Sequence, residues 1–63
     1  MFFLLLSSSG KWSIVCERSD STTGAVYTVM TSNGQIKLRT YQNGVVEYQY
    51  IDVVTAINVC NMQ

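Results

Sequence analysis

The sequence predicts a mainly β fold of the α+β type: a five-stranded antiparallel meander, or a small barrel, with a short C-terminal helix. Three observations carry this. Turn signals recur at Ser9-Gly10, Ser19–Gly24, Asn33-Gly34 and Gln42-Asn43-Gly44. Between them lie runs rich in Val, Ile, Thr, Tyr and Trp, which suit a pleated, half-buried surface. From Asp52 onward the apolar period changes from that of a strand to that of a helix.

The first strand is expected over residues 2–8, from Phe2-Phe3-Leu4-Leu5-Leu6. This opening is too short for a membrane span, which needs about 20 apolar residues. It also lacks the positive flank and the run of roughly 7–15 apolar residues of a secretion signal. A strand turned back by Ser9-Gly10 fits better. Further strands are expected over 11–18, 25–32, 35–41 and 45–51.

Asn33-Gly34 is the strongest turn, because both central positions of a type I′ turn need positive φ. A two-residue loop there places Thr31 opposite Ile36, Val29 opposite Leu38 and Tyr27 opposite Thr40. For Gln42-Asn43-Gly44 the hydrophobic pattern favours a three-residue loop with Gly44 left-handed. Leu38 then faces Tyr48, Ile36 faces Tyr50, and Arg39 meets Glu47. A one-residue slip would send every side chain of the strand to the other face. The expected core face therefore carries Phe3, Leu5, Trp12, Ile14, Cys16, Tyr27, Val29, Ile36, Leu38, Val46, Tyr48 and Tyr50.

Asp52 suits a helix N-cap. Val53, Ala56, Ile57 and Cys60 follow at the spacing of one helical face. The β-branched content leaves a sixth strand as the alternative for this segment.

A chain of 63 residues forms one domain, 1–63, near the lower size limit for independent folding. Its charged content of 13% is roughly half the usual share, and its net charge is zero. Such chains tend to associate. Histidine is absent, which removes the commonest general base and metal ligand. Cys16 and Cys60 lie far apart. Two buried free thiols are the default expectation, and a bridge is the alternative. Cys16 lacks a histidine base that would make it a nucleophile. Glu17 and Glu47 are expected on one face, as members of a solvated charge network rather than a catalytic pair. No enzyme activity, cofactor or metal is expected.

The second sheet face combines charge with too many apolar residues to stay wet. Phe2, Leu4, Leu6, Val26, Met30, Val45 and Ile51 are the expected interface. Burying such residues contributes roughly 1.5–3 kcal/mol each. The leading expectation is a non-catalytic module acting through protein–protein contacts. It would be a homo-oligomer, with a dimer favoured, or would meet an unidentified host or partner protein. Its size suits a cytoplasmic accessory regulator or inhibitor, viral and phage-encoded, with no membrane partner.

The alternative is a single-stranded nucleic-acid binder using Lys11, Lys37, Arg39 and Tyr41. Alternating basic and aromatic residues on a sheet combine phosphate neutralisation with base stacking. The meander-plus-helix outline is similar to that of small dimeric single-strand-binding proteins. Only four basic residues, offset by four acids, supply the phosphate term.

Overall fold

The structure is a computed structural model that describes residues 11–62. Four strands follow one another: β1 (Ser13–Ser19), β2 (Val26–Ser32), β3 (Gln35–Gln42) and β4 (Val45–Tyr50). A single helix, α1 (Val53–Cys60), ends the described chain. The strands form one antiparallel sheet in the order β1-β2-β3-β4. This is an open meander, and the barrel alternative is not formed. The expected strand over 2–8, with Phe2, Leu4 and Leu6, lies outside the described residues.

The β1–β2 connection is organised by Asp20. Its carboxylate accepts the Thr22 N–H at 2.9 Å, and its carbonyl accepts the Gly24 N–H at 2.7 Å. An aspartate folding its own turn in this way stabilises a loop that would otherwise stay solvated.

The Asn33-Gly34 hairpin has the expected register, with Thr31 opposite Ile36, Val29 opposite Leu38 and Tyr27 opposite Thr40. The second hairpin departs from expectation. Asn43 takes φ 54° and Gly44 φ 80°, almost the values of Asn33 (51°) and Gly34 (80°). Both hairpins are therefore two-residue loops with positive φ at both positions. Leu38 faces Gln49, Arg39 faces Tyr48 and Lys37 faces Tyr50. The local demand of Asn-Gly prevails over the apolar pattern of the following strand. Val46, Tyr48 and Tyr50 move off the expected core face, and the Arg39–Glu47 pair is not made.

A second correction lies in β1. Ile14 opposes Met30, but Cys16 opposes Val29, so Val15 is an extra residue in a bulge. Cys16 and Arg18 stay on the face of Val29. Ile14 goes to the face of Met30, and Trp12 lies with it beside Lys37. Together the two departures carry Trp12, Tyr48 and Tyr50 from the expected core face to the other one.

The helix covers the face that keeps Cys16 and Val29. Asp52 caps it by accepting the Thr55 N–H at 2.8 Å. Cys60 is joined to Cys16 by a disulfide, so the default expectation of two free thiols is overturned. The bridge closes a 44-residue separation. Arg18 adds a hydrogen bond from Nε to the Cys60 carbonyl at 2.8 Å. It engages an unpaired carbonyl of the last helical turn, where a cation also complements the helix dipole. The core beneath is small: Val29, Ala25 and Ala56 are the buried apolar residues described. Val53 and Ile57 stay largely exposed, against the expectation for that helical face. With Val15, Ala56 and Cys60 they line an apolar groove beside the bulge.

Candidate functional site: an aromatic and basic sheet face

The face away from the helix gathers the chemistry. On β3, alternate residues Lys37, Arg39 and Tyr41 point to it. The two-residue loop places Tyr48 opposite Arg39 and Tyr50 opposite Lys37. The β1 bulge brings Trp12 to the same side.

These residues form a ladder of cations and rings. Lys37 Nζ lies 4.1 Å from the centroid of the Trp12 ring and 4.8 Å from that of Tyr48. The ammonium is thus held between two rings, whose electron-rich faces attract a cation by about 0.5–1 kcal/mol each at exposed sites. Arg39 Cζ lies 5.8 Å from the Tyr41 centroid. Trp12 and Tyr50 complete the cluster, with centroids 6.3 Å apart and planes tilted by 50°. Tilted pairs at this separation avoid facing one negative ring surface with another.

The rings stay accessible. Tyr48 is 58% exposed and Tyr50 65%. Trp12, Lys37 and Arg39 are half-buried. At the floor, buried Thr28 donates its hydroxyl to Glu17 Oε2 at 3.3 Å. Among the described residues no buried side-chain polar atom lacks a partner, so the face rests on a satisfied support.

The residues singled out from sequence divide as follows. Lys37, Arg39 and Tyr41 share this face as expected, and Lys11 is exposed just before β1. Val26 and Met30 lie on it, half-buried. Val45 does not: it opposes Gln42 on the helix side and is 56% exposed. Ile51 donates its N–H to the Ile36 carbonyl at 3.1 Å just beyond β4, again at a helix-side register position. Glu17 and Glu47 fall on opposite faces, which removes any paired-carboxylate reading. Trp12, Tyr48 and Tyr50 are the members of the cluster that the expected site lacked. The signal for the two tyrosines was the Asn43-Gly44 dipeptide itself.

No group of three or more metal-binding side chains occurs among the described residues. No helix among them is long and apolar enough to cross a membrane. No protein-family model, curated protein or solved structure matches this chain.

Proposed function

We propose that this chain is a small non-catalytic interaction module, a homo-oligomeric accessory regulator or inhibitor that engages a partner protein through the aromatic and basic sheet face. The observation that carries this is the Trp12–Lys37–Tyr48 stack, with Tyr50 and Tyr41 beside it, on the face the helix leaves uncovered. Large aromatics with a pre-positioned cation are the residue types enriched where binding energy concentrates. Their rotamers are already restrained by mutual contact, so little ordering remains to oppose binding.

Single-strand nucleic-acid binding is the second reading. It is favoured by the alternation of Tyr48 and Tyr50 with Lys37 and Arg39, which offers rings for stacking next to positive charge. The zero net charge weighs against it.

The Cys16–Cys60 bridge supports residence in an oxidising compartment. That differs from the cytoplasmic location expected from the sequence.

The test compares wild type with Trp12→Ala and Tyr48→Ala as immobilised baits in extract of the source cells. A protein retained by wild type and lost from both variants supports the reading. Equal retention by all three overturns it. An anisotropy titration with single-stranded DNA at low salt runs alongside. Binding there that weakens steeply with salt favours the second reading.

A further inference from the structure

We infer that two copies of this chain pair through β4, antiparallel and in one register, with Tyr48 opposite Tyr48 of the second copy. The inference rests on the oligomeric part of the function proposed above and assigns it a surface.

Strand β4 is an outer strand of the described sheet, and each of its residues is exposed. The Ile51 N–H bonds to the Ile36 carbonyl. Hydrogen-bonded positions alternate along an antiparallel ladder. Gln49, Glu47 and Val45 therefore turn their backbone groups toward β3. Val46, Tyr48 and Tyr50 turn theirs to the edge that no described strand occupies. Outer strands are usually blunted by Lys, Pro or a bulge. β4 reads Val-Val-Glu-Tyr-Gln-Tyr, with no Lys, Pro or bulge, and Glu47 is its one charge.

Backbone and side-chain parity both require Val46, Tyr48 and Tyr50 to meet one another across the edge. Centring on Glu47 sets two carboxylates face to face, which is destabilising, and leaves Tyr50 against the Gly44 turn. Centring on Gln49 pushes Val46 past the end of the strand. Centring on Tyr48 pairs Val46 with Tyr50 and Tyr48 with Tyr48. It also places Glu47 opposite Gln49, a carboxylate acceptor against an amide donor. All three outward residues are then paired on both copies. The contact is isologous and closes as a two-fold dimer.

The occupant is a second copy because this register is self-complementary in backbone hydrogen bonding and ring pairing, and it sets Glu47 against the neutral amide of Gln49 rather than against its own carboxylate. A chain with zero net charge also meets no long-range repulsion from its own kind.

The experiment is sedimentation velocity over a dilution series on the full chain. Wild type should be a dimer that dissociates on dilution. Gln49→Glu alters an exposed side chain but sets like charges against Glu47 twice per dimer. It should raise the dissociation constant roughly 2- to 30-fold. Adding Glu47→Gln to Gln49→Glu exchanges the two residues and should restore wild-type affinity. Val46→Pro removes an outward N–H that β3 does not use, and should leave a folded monomer by circular dichroism. A dimer indifferent to Gln49→Glu and Val46→Pro overturns the β4 contact and leaves self-association standing by another surface. A wild-type chain that is monomeric throughout overturns both. Partner capture by the Trp12 face is read separately.

Discussion

Arg18 Nε donates to the Cys60 carbonyl at 2.8 Å, two residues along β1 from the cysteine that bridges to the same residue. One strand thus holds one helical turn twice, by a covalent bond and by a charged hydrogen bond. The buried apolar core described is only Val29, Ala25 and Ala56, so the latch stabilises what packing alone does not. Closing a loop of this length contributes about 4 kcal/mol through the unfolded chain. That is comparable to all the stability a core of this size supplies. Cys16→Ser with Cys60→Ser, or reduction of the wild type, should therefore shift urea unfolding to much lower concentration or leave the chain largely unfolded. Arg18→Met, with the bridge intact, should cost roughly 1 kcal/mol. Coincident urea curves for oxidised and reduced protein would show that packing alone holds the helix.

Acid should loosen the same helix from its other end. Hydrogen bonds from the Thr55 hydroxyl and then the Thr55 N–H hold the Asp52 carboxyl below its ordinary value of 3.8. A carboxyl depressed in the folded state adds stability above its unfolded pKa. That contribution is lost as pH falls through the folded one. Helical circular dichroism should decline below about pH 4 in wild type. Asp52→Asn, which caps without titrating, should not show that step. An identical acid transition in both proteins would assign it to other carboxylates.

The turns carry a prediction about the left-handed glycine of each hairpin. Gly34 and Gly44 both sit at φ 80°, and a Cβ added at either meets nothing within 4 Å. Substitution to L-alanine then costs backbone strain alone, about 1–2 kcal/mol at each site. D-Alanine, introduced by chemical synthesis, favours positive φ and should equal or exceed glycine in stability. Thermal melts of the L and D variants settle the matter. L-alanine tolerated at 44 but not at 34 would mean that the second turn lacks this geometry.

Lys37 offers an optical test. The chain has one tryptophan, and Lys37 Nζ lies 4.1 Å from its ring centroid. Lys37→Gln should change the Trp12 emission and cost about 1 kcal/mol, the worth of a cation held by rings near the surface. Arg39→Gln, beside Tyr41 instead, should leave Trp12 emission nearly unchanged. Matching spectra for wild type and Lys37→Gln would remove the stack.

Much of the fold was legible because its signals are local. Asn33-Gly34 specified its hairpin and register, and Asp52 with the spacing of Ala56 and Cys60 specified the capped helix. The site was legible only in its β3 part, where Lys37, Arg39 and Tyr41 alternate within one strand. The remainder depended on two parity decisions. At Asn43-Gly44 the preference of the dipeptide for positive φ competed with an apolar pattern at Val46, Tyr48 and Tyr50 that resembled a core. Tyrosine is ambiguous in that role, since its ring suits burial and its hydroxyl suits water. At Val15 no residue type marks a bulge, because Ser13–Cys16 alternates as acceptably with it as without it. The disulfide was open for a similar reason: pairing needs two Cα atoms within roughly 4.4–6.8 Å, here 5.9 Å, a proximity that spacing in sequence does not encode.

The bulge at Val15 makes the two sides of this molecule a matter of counting. Trp12 reaches Lys37, and Cys16 reaches Cys60, only because an odd residue lies between the halves of β1. Deleting Val15 would remove no buried side chain, yet it would set Trp12 and the cystine in competition for the same side of the sheet. The single indole that lights the outer surface would turn inward, or the covalent staple would be broken. What distinguishes the inside of this protein from its outside is thus, at β1, the length of the chain rather than the character of its side chains.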